Sequence, residues 1–183
     1  KLKKDEILVS SNFYLTKTDS LKKQNKYING LKDLYNWCNK KNYILRIYYD
    51  KSVNDIINKS YKKSNFKLYE YYFPKHFDKI RNKHYGTFGT FIRFLPLFNF
   101  KEHQHNKTLI LDIDTVSDKD IGSDFINYVD YYLEKIEKNG NELLLLSKYM
   151  YKYRNRLLNT KNPNIHAFLA CVIYLNTEKL LNK

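Results

Sequence analysis

Thr108-Leu-Ile-Leu-Asp-Ile-Asp114 is an apolar run that ends in two carboxylates one residue apart. The apolar part has the length and composition of a buried strand, so it predicts that the carboxylates stand where the strand reaches solvent. Because side chains alternate along a strand, we expect Asp112 and Asp114 to point the same way while Ile113 anchors the turn in the core. Such a pair can hold Mg²⁺ or Mn²⁺, ions that proteins usually bind together with substrate phosphates.

Strand-length apolar runs alternate with helical patterns along the rest of the chain. We expect strands at six places: Glu6–Ser10, Tyr43–Tyr49, Phe66–Tyr72, Thr108–Leu111, Glu142–Ser147 and Leu169–Leu175. Apolar residues at helical spacing predict helices at four: Leu21–Cys38 after the candidate caps Thr18-Asp19-Ser20, Val53–Ile57, His84–Phe94 ended by Pro96, and Phe125–Ile136. This alternation predicts an α/β domain around a mostly parallel sheet.

Composition limits the class of protein. The 183 residues are 43% hydrophobic and 16% aromatic, enough for one domain with a substantial core and too apolar for a disordered tail. We expect a single domain over residues 1–183, excised from a longer chain because it starts at Lys1. No apolar run reaches the length of a membrane span, and no signal-peptide pattern opens the chain. Cys38 and Cys171 stand among apolar neighbours, which predicts buried free thiols in a reducing, cytoplasmic compartment.

The net charge of +14 raises the question of nucleic-acid binding. The lysines are spread along the whole chain and interleaved with Asn, Ile and Tyr, a pattern typical of the coding bias of an AT-rich genome. The charge therefore indicates anionic ligands in general and does not favour a nucleic-acid partner.

Polar residues collect where predicted strands end. Ser10, Ser11 and Asn12, then Asp50, then the Asp pair all follow apolar strand patterns. Ligands of open α/β sheets bind beyond the carboxyl ends of strands, so we expect one cleft to gather these side chains.

The predicted helix before the Asp strand carries Gly86, Gly89 and Arg93 at helical spacing. Glycines let a ligand approach the backbone closely, and the planar donor fork of Arg93 suits a phosphate or a sugar. The alternative is that the glycines only permit close helix–sheet packing and that Arg93 pairs with a surface acid.

The chain resembles the nucleotide-sugar-dependent glycosyltransferases of the GT-A fold, including glycogenin-like enzymes and sugar transferases of large DNA viruses. Two blocks carry the resemblance: Tyr85-Gly-Thr-Phe-Gly-Thr-Phe-Ile-Arg93-Phe-Leu-Pro-Leu-Phe-Asn99 and Leu109-Ile-Leu-Asp112-Ile-Asp114. The resemblance implies a GT-A-like mixed sheet flanked by helices and a Mn²⁺ or Mg²⁺ ion between the carboxylates and a nucleoside diphosphate. It implies that Asp114 is a metal ligand, that Asp112 contacts the ribose or the metal, and that Arg93 faces the donor.

The same resemblance implies where the rest of the donor lies. Val9–Tyr14 would hold the base and ribose and Asp50 would join the nucleotide site. The full set of expected donor contacts is Ser10, Ser11, Asn12, Asp50, Tyr85, Gly86, Gly89, Arg93, Asp112 and Ile113. A UDP-sugar is the expected donor because UDP is commonest in this class, and the acceptor is a hydroxyl of a glycan or protein. A viral origin would place the enzyme in the host cytoplasm.

Two other functions remain open from the residues. Leu111–Val116 also fits the strand-ending D-x-D-x-(T/V) pattern of haloacid-dehalogenase-type phosphatases, with Asp112 as nucleophile. Against this reading, about half the chain precedes the Asp strand and the expected downstream acidic pair is missing. Tyr149–Arg156 interleaves aromatic and basic residues as a nucleic-acid stacking surface does, but a half-exposed face of a tyrosine-rich protein shows the same pattern.

Overall fold

The computed structural model describes residues 6–16, 19–61, 66–70, 91–98, 107–117, 133–134, 138, 143–145 and 172–176. The expected donor contacts Tyr85, Gly86 and Gly89 lie outside these residues. Cys171, the Tyr149–Arg156 stretch and most of the predicted Phe125–Ile136 helix lie outside them as well.

Within these residues, six strands form one sheet in the order β3-β2-β1-β4-β6-β5. Their bounds are Leu8–Phe13 (β1), Ile44–Tyr49 (β2), Phe66–Glu70 (β3), Lys107–Leu111 (β4), Leu143–Leu145 (β5) and Val172–Asn176 (β6). The four strands from β3 to β4 are parallel, and β6 runs antiparallel to both β4 and β5. The predicted α/β class and mostly parallel sheet are therefore confirmed.

The first strand extends further than its apolar pattern predicts. β1 continues through Ser11 and Asn12 to Phe13, where the sequence predicted a loop after Ser10. The extension is stabilised by β2, which pairs with β1 along its whole length, up to Phe13 opposite Tyr49. Backbone pairing with a buried neighbour outweighs the low strand propensity of the polar residues.

Helix α1, Leu21–Lys41, packs against one face of the sheet. Of the three candidate caps, Ser20 is the one that caps it, because its side chain accepts a hydrogen bond from the Lys23 N–H. The helix runs three residues past Cys38 to Lys41 and is capped by Asn42, whose φ of 57° is the left-handed conformation that asparagine tolerates.

The core lies between this face of the sheet and its helices. A short 3-10 helix, Lys51–Val53, and helix α2, Asn54–Ser60, follow β2 and complete the layer. Odd-numbered residues of β1, β2 and β4 point into it, as strand alternation requires. The buried residues of the cluster include Val9, Phe13, Leu31, Leu34, Trp37, Cys38, Leu45, Ile47, Val53, Ile57, Leu109, Leu111, Ile113 and Leu133.

A second 3-10 helix, Ile92–Leu97, contacts β1, β2 and β4; we call it the arginine helix after its buried residue Arg93. The sequence predicted that Pro96 would end a helix after Phe94, but Pro96 lies inside this one. A helix this short needs few backbone hydrogen bonds, so the missing N–H of proline is tolerated. The last turn is closed by the Phe98 N–H, which donates to the Leu95 carbonyl at 3.1 Å.

Candidate functional site at the carboxyl ends of β1 and β4

Strands β1 and β4 separate at their carboxyl ends. Their pairing stops at Ser10 opposite Ile110, whereas β1 stays paired with β2 as far as Phe13. The strand order also reverses here, since β2 lies on one side of β1 and β4 on the other. Ligands of open α/β sheets bind in crevices at such reversal points.

Arg93 joins the two separating strands. Ser10 Oγ donates a 2.7 Å hydrogen bond to the Arg93 carbonyl, which fixes the arginine helix on β1. The guanidinium Nη1 donates a long hydrogen bond of 3.5 Å to Asn12 Oδ1 and forms an ion pair with Asp112 Oδ1. Arg93 is only 2% exposed, while the Asp112 side chain is 41% exposed. A buried cation therefore holds a carboxylate that still reaches solvent.

Strand alternation separates the expected donor contacts of β1. Ser10 and Asn12 lie on the face that carries Arg93, whereas Ser11 lies between Val9 and Phe13 on the core face. Ser11 is fully buried, and its hydroxyl makes no hydrogen bond to any residue that the structure describes. The structure thus brings Ser10 and Asn12 together with Arg93 and does not bring Ser11 with them.

The Asp pair stands in turns and not in a strand. β4 ends at Leu111, and the Thr115 N–H donates to the Asp112 carbonyl at 3.1 Å. A second, overlapping turn follows, in which the Ser117 N–H donates to the Asp114 carbonyl at 3.2 Å. The prediction that strand alternation aligns the two carboxylates is therefore wrong, because the strand geometry stops before them. Ile113 is 7% exposed and lies in the core, so its predicted anchoring role is confirmed.

Asp114 rests directly on helix α1, at Gly30. A Cβ atom on Gly30 would lie 2.8 Å from both the Asp114 Cα and the Ile113 carbonyl oxygen. Only glycine permits this approach, although glycine inside a helix costs about 1 kcal/mol relative to alanine. Sequence reasoning missed Gly30; the available signal was a lone glycine in an otherwise regular helical pattern.

Lys26 precedes Gly30 by one helical turn and therefore shares its face of α1. Its ammonium nitrogen lies 2.9 Å from Asp114 Oδ2. The Lys26 side chain is half-exposed, whereas that of Asp114 is 17% exposed. Lys26 is the second site residue that the sequence pattern did not single out.

The neighbouring Tyr27 is an uncharged group beside this ion pair. Burial of the ring raises the pKa of the Tyr27 phenol; nearby Lys23 lowers it, and the negative charge of Asp114 raises it further. The pKa lies above its ordinary value of 10.0, so the phenol keeps its proton at neutral pH. Tyr27 therefore adds no charge to the environment of Asp114 at neutral pH.

Each carboxylate of the Asp pair thus has a cationic partner from a different element. Arg93 of the arginine helix contacts Asp112, and Lys26 of α1 contacts Asp114, each through one oxygen. Within the described residues, no group of three or more His, Cys, Asp or Glu side chains could hold a metal.

Asp50 has a local structural role at the end of β2. Its carboxylate accepts hydrogen bonds from the Ser52 N–H, at 3.0 Å, and from the Ser52 hydroxyl. The same hydroxyl accepts a 2.9 Å hydrogen bond from the Leu15 N–H, which ties the end of β2 to the segment after β1. Asp50 is 5% exposed, and its expected contact with a nucleotide stays a prediction.

The fold and the site together define an α/β protein with a cluster of polar and charged side chains at the carboxyl ends of two central strands. No known family model, curated protein or solved structure matches this chain. Among the helices of the described stretches, none is long and apolar enough to cross a membrane.

Proposed function

We propose that this chain is a metal-dependent glycosyltransferase of the GT-A type. It would move a sugar from a nucleoside diphosphate donor, a UDP-sugar foremost, to a hydroxyl of a glycan or protein. The observation that carries the proposal is the contact of Arg93 with both Asn12 and Asp112 where β1 and β4 separate. Three segments that the family resemblance links to the donor therefore meet at the Arg93 side chain.

The charges of the site suit a diphosphate leaving group. Negative charge builds up on the diphosphate as the glycosidic bond breaks, and fixed cations stabilise it best in a site that excludes water. Arg93 is buried, Ser10 holds its main-chain carbonyl, and Asn12 and Asp112 hold its guanidinium, so the cation needs little reorganisation during the reaction. Lys26 adds a second cation on the opposite side of the Asp pair. The net charge of +14 draws anionic donors toward the protein.

The chemistry of the Asp pair supports the implied Mn²⁺ or Mg²⁺, since both side chains offer carboxylate oxygens. Both ions prefer oxygen ligands, and the ammonium beside Asp114 shows that this carboxylate already accepts a cation in the folded chain. Asp112 and Asp114 would hold the ion, which when bound supplies Lewis-acid stabilisation to the leaving phosphate. Ile113 keeps the turn between them anchored in the core.

Thermal-shift measurements with UDP, GDP and their sugars, each with and without Mn²⁺, test the proposal. A ligand at one hundred times its dissociation constant stabilises the native state by about 2.7 kcal/mol. For a chain of this size that corresponds to a rise in Tm of roughly 5–10 °C. We expect the rise to need both a nucleotide and the metal, and Asp114→Asn to remove its metal-dependent part.

Asp55→Asn is the matched control, since Asp55 is an exposed aspartate in the first turn of α2 and should keep the full shift. Cleavage of the donor, measured as production of the free nucleoside diphosphate, then identifies the reaction. The proposal fails if no nucleotide or nucleotide sugar shifts the wild-type Tm. Trapping of a phosphoaspartate at Asp112 would instead support the phosphatase.

A further inference from the structure

Lys26 occupies the place beside Asp114 that a bound cation would take. The positively charged ammonium nitrogen lies 2.9 Å from the carboxylate oxygen Oδ2. A metal ion and an ammonium group at one carboxylate repel each other, so tight binding of the ion requires the lysine to move.

The two partners differ in their freedom to move. Asp114 is fixed, because its Cα is in contact with α1 at Gly30 and its turn is anchored by the buried Ile113. Lys26 has a long flexible stem and a half-exposed side chain on the same helix face. Displacement therefore falls to the lysine and leaves the carboxylate in position.

We propose that Lys26 is an internal competitor of the divalent ion. In the ligand-free protein its ammonium neutralises Asp114 and weakens metal binding. When the nucleoside diphosphate arrives with the metal, the ammonium moves from Asp114 to the phosphates beside it. Metal and nucleotide then bind cooperatively, because the nucleotide gives the displaced lysine a new anionic partner. This inference rests on the proposed metal site of the glycosyltransferase.

Mn²⁺ binding by electron paramagnetic resonance, with and without UDP, tests the competition on the full chain. Half-exposed ion pairs are worth little individually, so we expect Lys26→Met to tighten Mn²⁺ binding roughly 3- to 10-fold without UDP. In the same variant UDP should raise the Mn²⁺ affinity by a smaller factor than in the wild type, because only the part of the coupling that depends on Lys26 is lost. Lys26→Arg keeps the charge and should stay close to the wild type.

Lys32→Met is the matched control, because Lys32 is an exposed lysine elsewhere on α1 and its loss changes the net charge equally. The inference is overturned if Lys26→Met binds Mn²⁺ no more tightly than the wild type. It is also overturned if Lys32→Met tightens binding to the same extent, or if no variant binds Mn²⁺.

Asp114→Asn separates the failure of this inference from that of the proposed function. If Asp114→Asn abolishes Mn²⁺ binding while Lys26→Met matches the wild type, only the role of Lys26 is wrong. If Asp114→Asn binds as the wild type does, the metal site itself is misplaced and both proposals fail. The Tm of each ligand-free variant checks that it is folded.

Discussion

Gly30 and Asp114 are in direct contact across the interface between helix α1 and the turn after β4. A Cβ on Gly30 would stand 2.8 Å from the Asp114 Cα, closer than a side-chain atom can approach. The main chain of the helix at Gly30 therefore packs directly against Asp114, and Lys26 lies one turn away on the same helix face.

Gly30→Ala should lower the free energy of unfolding by about 1–3 kcal/mol, the usual cost of overpacking. The helix propensity of alanine favours the variant by about 1 kcal/mol, so a net loss reports the clash with Asp114. Urea denaturation measures the change. Asn29→Ala, at the exposed neighbouring position, should stay within about 0.5 kcal/mol of the wild type. An unchanged or more stable Gly30→Ala would show that the contact is absent.

Arg93 and Asp112 should show energetic coupling in a double-mutant cycle. Arg93→Ala truncates a buried side chain and should cost about 2–4 kcal/mol. Asp112→Ala should cost about 1 kcal/mol or less, since its side chain is 41% exposed. In urea denaturation, we expect the double variant to lose less stability than the two single variants lose together. The shortfall should be at least about 0.5 kcal/mol. Strict additivity would mean that the ion pair contributes nothing.

Asp19 should make stability depend on pH in the acidic range. Burial raises the pKa of its carboxyl, but hydrogen bonds from the Lys23 ammonium and the Thr16 N–H outweigh it, so the pKa lies below its ordinary value of 3.8. A carboxyl whose pKa is lower in the native than in the unfolded protein stabilises the fold at pH values above its unfolded pKa. This stabilisation is lost as the pH falls through the native pKa.

The measurement for Asp19 compares the wild type with Asp19→Asn in urea from pH 6 to pH 2.5. The stability difference should be largest at pH 5 and above and should shrink steadily in more acidic buffer. If the stability difference between the two proteins grew on acidification, the pKa of Asp19 would be raised and not lowered in the native protein.

Cys38 should be unreactive in the native protein. Its side chain is buried, and burial raises the pKa of the thiol well above its ordinary value of 9.0, which suppresses the nucleophilic thiolate. In a Cys171→Ser background, an aromatic disulfide reagent at pH 8 should label Cys38 only after urea unfolds the chain. Rapid labelling of the folded protein would show that the thiol is accessible. The expectation of a buried free thiol is already confirmed for this residue.

Most of the strands and helix α1 could be predicted because burial of one face leaves a periodic apolar pattern in the sequence. The pattern failed at Ser11 and Asn12, where two polar residues continue β1 through pairing with β2. It failed again at Pro96, which lies inside a 3-10 helix instead of ending an α-helix. At both places, contacts with residues distant in the chain outweigh the local conformational preferences.

The candidate site could be predicted in part. The Asp pair after a buried strand, the buried anchor Ile113 and the polar end of β1 were all visible in the sequence. The ion pair between Arg93 and Asp112 was not, because the sequence favoured a ligand over an acidic side chain as the partner of Arg93.

By itself, the sequence determined the α/β class, the end of β4 and the residues that carry charge there, since each follows from local spacing and composition. The tertiary structure alone decided the strand order, the separation of β1 from β4 and the placement of Lys26 and Gly30 against Asp114. These depend on how α1 crosses the sheet, and that crossing is set by the packing of side chains from many segments at once. The spacing of apolar residues indicates which face of a helix or strand is buried, but it does not indicate which other element packs against that face.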